Sequence, residues 1–458
     1  MDALGANWPM IKALMGGTSA MRKAGKALLP QWPNEDDNSY KTRLATATLH
    51  PVFRRTTLVN AARPFAKAPS VNAPGINPEW LDDVDRQGST LAAFANTILI
   101  NALAYGLCGV LVDYPQASNV KTKADEQTAK VRPYLVQYAP QSILGWKMQG
   151  QNLAQLRLLE SVEVDDGAWG STTIEQVRVL TPGRWQTYRQ APSDPQTWVL
   201  FDEGATTLQI IPFVFFYGLR LGFGNGQTPL LDLAFQNVEH YQSSSDQQTI
   251  LHVARVPVLV AKGFGDAEIT IGASSAVTTD NPEATLSYTE HTGAAIGAGR
   301  QSLLDLEERM RATGAELISQ KQAQTTATQV NAEGEASKST LQQIVEVLEE
   351  SFEAVIELMG AWVGKTVDVE IEFFKQFSGT PPAEPQALAA AATAGVISKQ
   401  TAFEELQRRD ILAPDLTWEG ETQRMKSQKP DTPPPIAPNP DQPTNQPPNQ
   451  KPNPPEAP

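Results

Sequence analysis

The chain has 458 residues, 41% of them apolar and 19% charged, enough for two or three ordinary domains and a large core. Its net charge of −14 argues against a surface that grips nucleic acid broadly, because phosphate binding needs clustered Lys and Arg, but it leaves room for DNA that slides past. The single cysteine, Cys108, excludes an intrachain disulfide and fits a reducing compartment, and no apolar run is long enough for a membrane helix.

Near the N-terminus Lys12, Arg22, Lys23 and Lys26 surround Gly16, Gly17, Thr18 and Ser19, which interrupt any apolar stretch and do not match a signal peptide. Residues to about 68 read as helical. Ser39 caps a run with Tyr40, Leu44 and Ala47 at helical spacing, and Pro51 after His50 kinks or breaks it. Pro69, Pro74 and Gly75 mark a loop. The spacing of Phe94, Ile98, Ala102 and Tyr105 predicts a helix over 90–107, and Gly109, Val110, Leu111 and Val112 then read as a buried strand. From there to about 220 the pattern is β, with strands predicted at 134–138, 156–159, 174–180, 184–188 and 211–217 and turns at 165–167 and 181–183.

Residues 229–363 are the most informative stretch. Pro229, Leu230, Leu231 and Asp232 open a long helix, and Val256, Pro257 and Val258 end it and begin extended structure. A second helical run covers about 295–323. The following loop is too rich in Gln, Thr and Asn to be core. A third run, 337–362, repeats Leu341, Ile344, Val345, Leu348, Phe352, Val355, Ile356, Met359 and Trp362 at three- and four-residue steps, while Glu346, Glu349, Glu350, Glu353 and Glu357 line the other side. That acidic side reads first as a solvated face; it also suits a surface that repels passing DNA. A strand at 367–373 and an Ala-rich helical pair over 385–412 follow, where the alanines at 389–392 and Gly395 would let neighbours pack closely. The last 29 residues hold thirteen of the 35 prolines and predict a disordered, polyproline-like tail.

Enzyme motifs are absent from this reading. Gly360 to Thr366 resembles a phosphate loop only superficially: three residues separate the glycines instead of four, a helix precedes and a strand follows, and Gly364 is more simply a helix stop. The histidines His50, His240, His252 and His291 show no metal-ligand spacing, and Cys108 reads as a small core residue. Ser243 to Ser245 near His240 and Asp246 lack a nucleophile elbow; small serines on a helix favour close packing instead. No catalytic residue, cofactor or metal is expected.

An ordered series of segments carries a resemblance. It comprises Leu28, Leu29 and Pro30 with Glu35; Tyr40 to Leu44; Gly109 to Pro115; and Arg132, Pro133 and Tyr134 with Ile143 to Trp146. Ile211 to Val214, Pro229 to Ala234, His240 to Asp246 and Thr326 to Thr328 complete it. Together they resemble the portal proteins of tailed double-stranded DNA bacteriophages over about residues 28–374. The resemblance implies an α+β portal fold. Its parts would be an N-terminal wing (1–228), stem helices (229–255 and 295–320), a clip (256–294), a channel loop (321–338), a long wing helix and strand (339–380), a helical crown (381–429) and the Pro-rich tail (430–458). It implies a ring, usually of twelve chains, at one capsid vertex of the virion, assembled in the host cytoplasm. Double-stranded DNA would be packaged and ejected through it, and the terminase large subunit, a head–tail adaptor, capsid and scaffolding proteins would be its partners.

On that basis Lys321, Gln322, Gln324, Thr325, Thr326, Thr328, Gln329, Asn331 and Lys338 would face DNA, with Lys321, Lys338 and Arg300 forming local basic rings. His240, Tyr241, Ser244, Arg300 and Arg309 would pack the stem and the oligomer, and Lys262, Phe264, Asp266, Glu268 and Tyr288 would dock the motor or adaptor. Geometry agrees: twelve helices about 10 Å apart enclose a bore of roughly 28 Å, wide enough for duplex DNA. The alternatives are another multimeric head–tail connector or minor head protein and, from a different class, an enzyme with an unrecognised acidic site.

Overall fold

The computed structural model describes residues 5–115, 131–167, 169–191, 194–254, 258–264, 281–289, 294–318, 338–375, 377, 384–408, 412 and 416–427. It is a mixed helix-and-sheet protein in two units, Met1–Ser378 and Gly379–Pro458. The predicted channel loop, apart from Lys338, the clip residues Asp266 and Glu268, and the Pro-rich tail lie outside the described residues.

Three helices open the first unit: α1 (Trp8–Ala24), kinked at Gly17, α2 (Asp37–Thr46) and α3 (Val52–Ala62). Asp36, rather than Ser39, caps α2: its carboxylate accepts from the backbone N–H groups of Asn38 at 2.9 Å and Ser39 at 3.1 Å. Pro51 stands at the N-cap of α3, so the expected break falls where proline requires it. A short strand, β1 (Ser70–Asn72), follows in the segment read as loop. Thr90 caps α4 (Leu91–Tyr105), and Gly106 ends it at φ 84. Gly106 is also pressed against the backbone of Gln227 and Thr228, so a side chain there would meet both strain and main chain.

Strands β2 (Leu107–Asp113), β3 (Tyr134–Tyr138) and β9 (Phe213–Tyr217) form an antiparallel sheet in the order β3-β2-β9. Successive side chains of a strand point to opposite faces, and here both faces are buried. Cys108, Val110, Val112 and Phe216 enter the helical core, while Leu107, Leu111, Phe213, Phe215 and Tyr217 enter a second core beneath the larger sheet. Gly109 lies under the Phe213 ring, leaving no room for a Cβ. Burial raises the Cys108 thiol, which donates to the Ile98 carbonyl, far above its ordinary pKa, as befits an inert core residue.

The larger sheet is an antiparallel meander of β4 (Ile143–Gln149), β5 (Asn152–Asp166), β6 (Gly170–Thr181), β7 (Arg184–Ala191) and β8 (Asp194–Ala205). Two small hairpins complete the strands: β10 (Leu219–Gly222) with β11 (Asn225–Gln227), and β12 (Val258–Lys262) with β13 (Thr285–Thr289). A half-buried ionic lock joins the three- and five-stranded sheets. Arg178 Nη1 lies 2.8 Å from Asp113 and 3.5 Å from Glu160, Tyr138 donates to Glu160, and Tyr134 donates to Asp113. Burial and the neighbouring Asp113 carboxylate push the Tyr134 phenol up to about 12.

Three further helices belong to the region read as most informative. They are α5 (Leu231–Ala254), α6 (Ala294–Glu316) and α7 (Thr340–Trp362). Ser339 and Gln342 form a reciprocal capping box at the start of α7. At its end the N–H of Lys365 donates to Gly360 and that of Gly364 to Ala361, a Schellman stop that accounts for the glycines mistaken at first glance for a phosphate loop. The apolar stripe of α7 packs on the sheet, with the Phe216 and Phe352 ring centroids 4.8 Å apart.

One expectation about α7 needs correction. Glu349 is not on a solvated acidic face; it is buried, and its carboxylate accepts from Phe373 N–H at 2.7 Å and Lys375 Nζ at 2.9 Å. Glu353 accepts from Ile371 N–H at 3.1 Å. These acids serve donors of the β14 segment (Glu370–Glu372), whose strand pairs with β1 and is shorter than the 367–373 predicted. Burial raises the Glu349 carboxyl against the opposing pull of Lys375.

The second unit contains α8 (Glu384–Thr393), α9 (Lys399–Arg408) and, beyond the helical pair read at 385–412, α10 (Trp418–Ser427). The Phe403 and Trp418 rings meet with centroids 5.6 Å apart. Gly395 has φ 74 with open space at its Cβ, so it terminates a helix instead of permitting close packing.

Candidate functional site

The feature most able to do mechanical work is the pair α5 and α6, each about 35 Å long at 1.5 Å rise per residue. Contacts run in opposite senses along the two helices. Gln236 donates to Thr313 Oγ1 at 3.2 Å, His240 Nε2 lies 3.4 Å from Glu307 Oε1, and Gln247 donates to the Ile296 carbonyl at 3.0 Å. The partner number falls as the α5 number rises, which defines an antiparallel pair. The β12–β13 hairpin is inserted between the ends that face away from the root. Its register sets Leu259 opposite Tyr288 and Lys262 opposite Thr285.

The seam is polar. Leu233, Leu306 and Met310 are buried apolar residues of the two helices, yet the polar His240 and Gln247, which reach across to α6, are buried too. Among the described residues, Gln236 Oε1, His240 Nδ1, Tyr241 Oη and Ser245 Oγ are buried side-chain atoms of α5 with no hydrogen-bond partner. Desolvation lowers the His240 pKa, more than Glu307 raises it, and favours a neutral ring.

The root of α5 is clamped to the N-terminal helices. Asn237 accepts from Phe53 N–H at 2.9 Å and donates to the His50 carbonyl at 2.8 Å. One turn on, Gln242 donates to the Leu28 carbonyl at 2.9 Å, and Tyr40 donates to Leu29 at 3.1 Å. Arg43 holds the cluster together. It grips Glu35 with two bonds of 2.7 and 2.8 Å, donates to Pro30, stacks 4.2 Å over Trp32 and lies 3.8 Å from Asp246. The Arg43 bond holds the Glu35 carboxyl below the usual carboxylate range. Two neighbouring segments, around 28–35 and 40–44, and a distant one, around 240–246, thus converge on one guanidinium. Beside them a cleft of about 1050 Å³ opens between α2 and the distal part of α5, lined by Trp32, Arg43, Thr46, Gln248, Leu251 and His252.

The residues singled out from sequence separate into distinct settings. His240 and Tyr241 are buried within the chain's own core, Ser244 is half-buried, and Arg300 and Arg309 are exposed on α6. Arg309 lies 3.9 Å from Glu239, an exposed pair worth little energetically. Lys338 is exposed and 2.7 Å from Glu346. Lys262 is exposed in β12, Phe264 is half-buried just beyond it, and Tyr288 is a β13 position. Lys321, Gln322, Gln324, Thr325, Thr326, Thr328, Gln329 and Asn331 fall outside the described residues. Sequence reading missed His50 and Glu307: both face His240 here, although no local spacing links them. Only the break at Pro51 and the shared face of Asn237 and His240 on α5 hint at that meeting.

Comparison with known proteins gives a family match and loose structural likenesses. The family described as a domain of unknown function, DUF4055, matches residues 229–363, the span from the start of α5 to the end of α7. No curated protein matches the chain. Among solved structures, a chain from the "Virion of native gene transfer agent (GTA) particle" is 11% identical, with a TM-score of 0.41, covering 84% of this chain and 98% of that one. A chain from the "Neck of empty GTA particle computed with C6 symmetry" is 10% identical, with a TM-score of 0.41, covering 85% and 93%. One from the "Neck of native GTA particle computed with C12 symmetry" is 11% identical at the same TM-score, covering 85% and 98%.

Proposed function

We propose that this chain is a portal-type head–tail connector subunit: a structural protein, not an enzyme, that forms a ring through which double-stranded DNA passes into and out of a phage capsid. One observation carries the reading. Two long antiparallel helices are interrupted by a β hairpin and rooted on a helical layer, and the root is built from the same separated segments whose order resembles portal proteins. Such a pair can line a channel wall, with the hairpin presented at one end to a terminase motor or tail adaptor. ATP hydrolysis would then belong to the separate motor.

The exposed side of the pair suits loose passage of DNA. Asp232, Glu239, Asp305, Glu308 and Glu316 are exposed there beside Arg300, Arg309 and Arg311, so basic contacts to phosphate would be local against an acidic background.

The test is negative-stain electron microscopy of the purified chain together with its native mass. Rings with a central hole and a mass near twelve chains are the expected result. A compact dimer with a closed pocket would overturn the reading in favour of an enzyme, and small open assemblies without a channel would favour a different connector.

A further inference from the structure

The geometry points to a structural transition-metal site of the zinc class formed by His50, His240 and Glu307 at the root of α5 and α6. Their ligand atoms lie within 4.8 Å of one another. His240 Nε2 is 3.4 Å and His50 Nδ1 is 3.7 Å from the same oxygen, Glu307 Oε1. Both separations are long for charge-assisted hydrogen bonds, which prefer about 2.7–2.9 Å. The first falls on the edge of a tetrahedron around a metal with bonds of about 2.0–2.2 Å, an edge of roughly 3.3–3.6 Å, and the second is slightly longer, so a small inward turn of the His50 ring would close the site. The two imidazoles stand edge to face with centroids 5.2 Å apart, a disposition that lets two ring nitrogens approach one ion.

The surroundings are those of a built site. The His240 side chain is 6% exposed. Asn237 is the positioning residue, fixing both the His50 carbonyl and the start of α3 from one turn away on α5. The His50 and Glu307 side chains are 36% and 24% exposed, so an ion and its fourth ligand, a water, can enter from solvent. Arg311 Nη2 lies 3.6 Å from Glu307 Oε2, on the oxygen not shared by the histidines. Two imidazoles and one carboxylate favour zinc over calcium or magnesium, which prefer oxygen. A bound ion would fasten α6 and the loop before α3 to α5. This inference does not depend on the portal reading.

The test uses the full-length, untagged chain stripped with a chelator and dialysed against Zn²⁺ or Co²⁺. The expected result is one ion per chain, visible Co²⁺ bands of tetrahedral type and a rise in melting temperature on adding Zn²⁺. His50→Gln and Glu307→Gln, both at partly exposed positions, should each weaken Zn²⁺ binding at least tenfold while leaving the far-ultraviolet circular dichroism and the metal-free melting temperature unchanged. His252→Gln should bind as the parent does. Uptake well below one ion per chain, uptake unaffected by His50→Gln and Glu307→Gln, or uptake lost in His252→Gln would each overturn the proposal.

Discussion

Arg43 shows how much of a residue's role its neighbours in sequence conceal. Its segment is conspicuous as a string, but its partners Glu35, Trp32, Pro30 and Asp246 come together only through folding. The side chains of Arg43 and Glu35 are 4% and 3% exposed, yet they line an open cleft. Removing one member of a fully buried pair costs about 3–5 kcal/mol; next to a cleft, Arg43→Met should cost roughly 2–3 kcal/mol in urea unfolding. Acid should act on the same contact. Arg43 depresses the folded-state pKa of Glu35, so the stabilisation is complete above the ordinary carboxylate range and is lost as pH falls through the depressed value. Parent stability should therefore drop more steeply than that of Arg43→Met as pH falls below the ordinary carboxylate range, as followed by urea midpoints at each pH. The meeting of His50, His240 and Glu307 was hidden for the same reason, since side chains so far apart in sequence leave no periodic trace.

Elements were legible where burial imposes a period. The apolar stripe of α7 is visible because every third or fourth side chain enters one core, and β2 reads as buried because both of its faces do. Strands β4 and β8 escaped notice: much of each is exposed, including Trp198, Val199, Leu200 and Phe201 on β8, so solvent does not select an alternating pattern. The Glu stripe misled because a carboxylate can be buried when strand N–H groups and a lysine answer it. Local chemistry sets the start of α7. Ser339→Ala removes one half of the capping box and should lower stability by about 1 kcal/mol in chemical denaturation, with Ser339→Asp restoring most of it.

For the whole molecule, the division after Ser378 makes a further prediction. Among the described residues both apolar cores draw on nothing beyond Phe377. A chain ending at Ser378 should keep a cooperative thermal transition at the parent midpoint, measured by circular dichroism; a broadened or lowered transition would mean that the second unit contributes to the first unit's core. The polar seam of α5 and α6 also has a mechanical consequence. Helices joined by interlocking apolar knobs resist sliding, because a small shear opens voids. Along this seam, amides, hydroxyls and an imidazole can change partners as one helix creeps past the other, and several spare acceptors already lie in the path. Between the hairpin and the His240–Glu307 contact the joint is thus greased by its own hydrogen-bonding groups: stiff against bending, compliant along its axis, and suited to take up a push on the hairpin as a slide above the root.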